Sequence, residues 1–140
     1  MITKPVLVDT GPLVALLYEK EQHHKRCVEQ AKDLPETLRT CWPVITEAAY
    51  LLRPSRNGVA TLLSEIDQGR LEILSLSADD VRPVQAILKR YEDQRLDLAD
   101  ACLMHLAERE GMRYIFTLDR RHFTVLRTST GEALELLPAQ

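Results

Sequence analysis

Two short apolar runs, each stopping at an aspartate, constrain this chain most: Pro5-Val6-Leu7-Val8 ends at Asp9, and Tyr114-Ile115-Phe116-Thr117-Leu118 ends at Asp119. β-Branched and aromatic residues in runs of this length make buried strands. The stretches between them have helical spacing. Thr10-Gly11-Pro12 turns the chain into Leu13-Val14-Ala15-Leu16-Leu17, with Pro12 expected at the first helical position. A polar helix is expected over 21–33, closed by Pro35, and Pro43–Leu52 is apolar nearly all round, which predicts a buried helix. Pro54 to Gly58 breaks the chain before a further helix at 59–68. Leu71-Glu72-Ile73-Leu74 alternates as a strand, and Ser77 to Asp80 has the spacing of an N-terminal cap ahead of a long helix to about Glu92. Asp97-Leu98-Ala99-Asp100 opens another helix, which Gly111 stops, and Leu134–Leu137 is a candidate edge strand. Strands alternating with helices imply an α/β fold with a parallel sheet covered on both faces.

At 140 residues and 45% hydrophobic content, one domain spanning 1–140 is expected, large enough to bury roughly two-thirds of its unfolded surface. Cys27, Cys41 and Cys102 are odd in number and widely spaced, so neither a disulfide framework nor a zinc knuckle is indicated. Met1–Pro5 lacks the apolar run of a signal peptide, and no stretch approaches the ~20 apolar residues of a membrane span. A cytoplasmic protein with reduced thiols and no membrane contact is expected.

The net charge of −3 counts mildly against a nucleic-acid binder, yet the distribution says more than the total. Bases gather at His23-His24-Lys25-Arg26, Lys89-Arg90 and Arg120-Arg121-His122, while several acids stand in apolar surroundings. Asp9 and Asp119 both fall at the carboxyl end of a strand, the edge where open α/β sheets bind ligands. Glu47 has Val44, Ala48 and Leu51 as helical neighbours, so it projects from an apolar face where a lone carboxylate loses hydration. Asp100 lies in the first turn of a helix whose following residues are almost all apolar.

Each acid has a plainer role beside the chemical one. Asp9 and Asp119 can cap turns, Asp97 and Asp100 have the spacing of a capping pair, and Glu47 can pair with a buried Arg. Convergence is the argument for function, because carboxylates brought together repel and a hard divalent cation with oxygen ligands relieves them. Such a cation, with positions open to water and phosphate oxygens, serves phosphodiester hydrolysis.

Val6-Leu7-Val8-Asp9-Thr10, Glu47 within Pro43–Leu52, Leu98-Ala99-Asp100-Ala101 and Phe116-Thr117-Leu118-Asp119-Arg120-Arg121-His122-Phe123 resemble, in order, the four acidic motifs of PIN domains. The last block is particularly similar to the VapC-type toxins of VapBC toxin–antitoxin pairs. The resemblance covers nearly the whole chain. It implies a three-layer α/β/α sandwich with a mostly parallel central sheet and a ribonuclease hydrolysing RNA with Mg²⁺ or Mn²⁺. It further implies a homodimer and a small VapB-like antitoxin whose tail occupies the active-site groove. Residue by residue, Asp9, Glu47, Asp100 and Asp119 match the metal-binding catalytic acids, with Thr10 and Thr117 at hydroxyl or small positions near the metal.

Two other functions compete with this one. An aspartyl-phosphate enzyme is disfavoured because Asp9 is followed by Thr10-Gly11 rather than a second acid two residues on, and no Lys occupies a strand end. A catalytically inactive PIN-like module that only binds RNA or protein is the alternative from another class. Trp42 and Tyr50 are expected in the core, His105 as a satisfied core histidine, and aromatics at 5% speak against a base-stacking platform.

Overall fold

The computed structural model describes residues 1–125, 127 and 131–138. Five strands, β1 (Val6–Val8), β2 (Leu38–Thr40), β3 (Leu71–Ile73), β4 (Tyr114–Phe116) and β5 (Glu135–Leu137), form one sheet in the order β3-β2-β1-β4-β5. Every neighbouring pair is parallel. The helices are α1 (Thr10–Leu17), α2 (His24–Ala31), α3 (Trp42–Leu51), α4 (Gly58–Asp67), α5 (Val81–Arg90), α6 (Leu98–Glu110) and α7 (Arg120–Val125).

Strand order explains the layers. From β1 the chain steps outward through β2 to β3, then returns to the other side of β1 for β4 and β5. Right-handed crossovers therefore put α1 to α4 on one face and α5 and α6 on the other, the α/β/α sandwich expected from the resemblance. The direction of travel reverses between β1 and β4, and at such a reversal the loops leaving neighbouring strands diverge and open a crevice. Val8 pairs with Phe116, and Asp9 N–H donates to Phe116 O at 2.9 Å, so both aspartate-bearing loops leave the sheet together.

Local chemistry sets the boundaries. Asp9 is the N-cap of α1, its carboxylate accepting from Thr10 N–H, so the helix starts before Pro12 rather than at it. Ser77 and Asp80 form a reciprocal capping box, but on a short 3-10 turn, Ala78–Asp80, that feeds α5. Asp97 and Asp100 form the capping box of α6, and Gly111 ends that helix at φ 66°, a left-handed conformation that glycine adopts without steric cost. The polar helix, α2, is shorter than 21–33, and β2 and α7 are elements that the sequence pattern does not announce.

The core joins Val6, Leu7 and Val8 of β1 and Ile115 and Phe116 of β4 to the inner faces of α1, α3 and α6. Cys27, Cys41 and Cys102 are buried free thiols, and burial pushes Cys41 up to about 12, which keeps it protonated. His105 is the satisfied core histidine expected, its Nε2 2.7 Å from Asp80 Oδ1, where Arg109 Nη1 also lies at 3.2 Å. That pairing holds the Asp80 carboxyl well below the usual range and ties α6 to the turn before α5.

Helix α3 departs from expectation. Val44, Ile45 and Ala48 are buried, but Trp42, Tyr50 and Leu51 are 55%, 60% and 45% exposed. The helix is apolar all round, yet only one side of it meets the core. Trp42 and Tyr50 are surface aromatics. Among the described residues no helix is long and apolar enough to cross a membrane.

Candidate active site

Asp9, Glu47, Asp100 and Asp119 line one open cleft of about 380 Å³ at the β1/β4 reversal, together with Thr10, Asp97 and Leu118. Each acid arrives from a different element. β1 ends at Asp9, α3 presents Glu47 from its middle, α6 carries Asp100 in its first turn, and Asp119 stands between β4 and α7.

Hydroxyls and backbone amides fix the carboxylates. Asp9 Oδ1 accepts from Thr10 N–H at 2.8 Å, and its Oδ2 accepts from the buried Thr117 hydroxyl, also at 2.8 Å. The same Thr117 oxygen accepts from Asp119 N–H at 2.9 Å, so one side chain sets both strand-end acids. The Thr10 hydroxyl donates to Glu47 Oε2 at 3.2 Å. Asp97 Oδ1 accepts from Asp100 N–H at 2.8 Å, and Asp100 Oδ2 reaches back to Asp97 N–H at 3.4 Å. The plain capping roles and the chemical roles thus coexist in the same residues.

Burial and mutual repulsion act on Asp9, Asp100 and Glu47. Burial raises Asp9 to about 6 against the lowering pull of Thr10 N–H and Thr117, with Glu47 and Asp97 adding to the rise. Asp100, only 4% exposed, is lifted to about 7 by burial, then by the charges of Asp9 and Asp97. Glu47 is also raised, by partial desolvation and by Asp97. It is nevertheless exposed, not embedded in an apolar face as its neighbours suggested, because Leu51 beside it faces the surface too. No Lys or Arg pairs with any of these acids among the described residues. Hard oxygen donors gathered in one cleft, with Asp9 and Asp100 desolvated and mutually repelling, fit a divalent cation.

The sequence reading missed His122. Its Nδ1 lies 3.1 Å from Asp100 Oδ2 and 2.9 Å from Asp119 Oδ2, and possible ligand atoms of these three residues all fall within 4.8 Å of one another. Asp9 and Glu47 stand outside this tightest group and connect to it through Thr117, Thr10 and the cleft wall. The available signal was the i,i+3 spacing of Asp119 and His122, which faces them together only once the residues after Asp119 are known to be helical. Arg120 instead ties α7 to the chain end, donating to Pro138 O at 2.7 Å.

Comparison with known proteins shows the family and the fold. The PIN domain family profile matches residues 6–127. Ribonuclease VapC26 of Mycobacterium tuberculosis (strain ATCC 25618 / H37Rv) is 32% identical over 136 residues, covering 95% of this chain and all of that protein. The crystal structure of Mycobacterium tuberculosis VapC20, a sarcin-ricin loop cleaving toxin, superposes with a TM-score of 0.71 over 82% of this chain and 90% of that one, at 19% identity. The structural likeness speaks for the fold, whereas the family profile and the sequence relative speak for the lineage: the chain belongs to the PIN-domain family, among the VapC-type ribonucleases.

Proposed function

We propose that Asp9, Glu47, Asp100 and Asp119 are the catalytic acids of this ribonuclease and that they hold Mg²⁺ or Mn²⁺. The observation that carries this reading is the pair of buried carboxylates, Asp9 and Asp100, each desolvated, with Asp9 adding to the rise of Asp100 and no Lys or Arg paired with them among the described residues. An all-oxygen donor set suits Mg²⁺ and Mn²⁺. When bound, the cation supplies charge neutralisation at the phosphoryl oxygens and a water of lowered pKa. The protein's own part is placement. Thr117 and Thr10 N–H hold Asp9, the Asp97 cap holds Asp100, and Glu47, the exposed member, faces the cleft where it orients the attacking water. With all four acids in one cleft, the non-catalytic module is not supported.

The test is a Mn²⁺ titration followed by thermal melting. A cation that relieves the repulsion stabilises the fold by about 2.7 kcal/mol at a hundred times its dissociation constant. The gain grows as pH rises from about 5 to about 8, because proton competition at Asp9 and Asp100 fades. A melting temperature unchanged across millimolar Mn²⁺ would leave these acids a capping role only. Loss of cleavage in chelator, restored by Mn²⁺, is the matching activity result.

The same reading places one domain over the whole chain, in the cytoplasm, with RNA as substrate and a cognate VapB-like antitoxin as partner. It also includes a homodimer, for which Leu51 and Leu63, 45% and 50% exposed on α3 and α4, offer an apolar surface. Sedimentation at micromolar concentration is expected to give twice the chain mass. A monomer there would remove the dimer from the proposal and leave the cleft untouched.

A further inference from the structure

Beside the carboxylate cleft runs a second, wider groove of about 730 Å³ between one side of α3 and the N-terminal end of α6. One wall is a stripe of α3, Trp42, Thr46 and Tyr50, at the i, i+4, i+8 positions that share a helix face. Leu98 and Ala99 of α6 form the other. Glu47 and Asp97 line both the groove and the cleft, so the two are continuous. Trp42 at 55% exposure and Leu98 at 57% leave an apolar surface open beside a cluster of acids.

Resting on the reading of the carboxylate cleft given above, we propose that this groove is a base-binding subsite in which the Trp42 indole stacks an unpaired nucleotide next to the scissile phosphate. A strand whose phosphate lies over Asp9 and Asp100 has its next nucleotides leaving past Glu47 and Asp97. Trp42 stands five residues from Glu47 on the same helix, about 7.5 Å along the axis, within one nucleotide's reach. The Thr46 hydroxyl donates to Trp42 O at 3.0 Å and secures the turn that carries the indole. About 12 Å further along the helix from Trp42 is Tyr50, with the Arg53 guanidinium 3.6 Å from its ring centroid. That pair offers the strand a cation at the far end of the groove and a second planar surface.

A nucleotide fits this groove better than a protein face. An apolar helix pressed onto Trp42 and Leu98 would bury the charges of Glu47 and Asp97 beside it without a counter-charge, a costly arrangement. RNA presents an apolar base face to the indole and leaves the acids to the cation already required for cleavage.

Trp42 is the one tryptophan of the chain, so its fluorescence reports this groove alone. A short oligoadenylate with 2′-O-methyl sugars, titrated in Mg²⁺, is expected to quench it, and the same sugar–phosphate strand without bases is expected not to. In cleavage assays on single-stranded RNA, Trp42→Ala is expected to raise KM by about 5- to 150-fold, the range for losing one stacked base, with kcat little changed. Trp42→Phe recovers most of the loss. Equal quenching by the abasic strand, or binding seen by anisotropy with silent Trp42 fluorescence, overturns the subsite while leaving the catalytic cleft in place. An unchanged KM accompanied by conversion of a dimer to a monomer in Trp42→Ala also overturns it, since the groove is then a protein interface. Failure of the cleft itself reads differently: Asp100→Asn would then cleave like wild type, whereas the subsite reading alone expects that variant to be inactive yet still quenched.

Discussion

Replacing Asp9 by Asn is expected to abolish RNA cleavage and, without metal, to leave the protein at least as stable as wild type near neutral pH. Activity falls on the proposed reading because the substitution removes one of the carboxylate charges from the cleft where β1 and β4 deliver their loops. Stability follows from linkage. The folded-state value of about 6 lies above the ordinary 3.8, so between these values the folded protein holds more protons than the unfolded chain. Stability contributed at this site therefore declines as pH rises through the window, and the penalty is complete above it. At neutral pH it amounts to about 3 kcal/mol. An Asn at this position still accepts from Thr10 N–H and carries no charge to desolvate. Urea denaturation in chelator at about pH 5 and about pH 8 measures the difference. Wild type is expected to lose stability toward the higher pH more steeply than Asp9→Asn. Wild-type cleavage by the folded variant would remove Asp9 from the catalytic set.

The second large effect separates Asp100 from Asp97. Three residues apart at the start of α6, they lie about 60° from each other around the axis and both line the cleft. Their tasks differ in the structure. Asp97 is exposed and spends Oδ1 on Asp100 N–H at 2.8 Å, whereas Asp100 is buried, meets His122, and keeps only a long 3.4 Å contact back to the cap. Asp100→Asn is expected to lower single-turnover cleavage by several orders of magnitude at saturating Mn²⁺, with little loss of stability. Asp97→Asn remains a competent N-cap and is expected to cost tenfold or less, about 1.4 kcal/mol in barrier. A larger loss in Asp97→Asn would exchange the two assignments.

What could be read from the sequence was local. β1 and β4 announced themselves because strands buried on both faces are apolar without interruption, with Asp9 directly after one and Asp119 three residues after the other. The capping box of α6 was visible from Asp97 and Asp100 alone, since both partners lie within one turn. The rest depends on contacts between distant segments. β2 is Leu38-Arg39-Thr40, with a charged residue in its centre, and becomes a strand because β1 and β3 flank it. The composition of α3 gave no sign of which side would lack a neighbour, so Trp42 and Tyr50 were expected inside and Glu47 in an apolar setting. His122 enters the site through α7, whose helical turn supplies the geometry that its sequence spacing alone did not.

The reversal of strand order at β1 has a consequence for synthesis. The sheet grows outward from β1 through β2 and β3 while one edge of β1 stays open, and that edge is filled by β4, made near the end of the chain. Asp119 arrives with it. A nascent chain stopped before β4 thus has no assembled cleft. The unpaired β1 edge of such a fragment is a site for aggregation. Catalytic competence and protection of that edge are gained in the same late step, so truncated products of this gene are expected to be inert and poorly soluble rather than partly active.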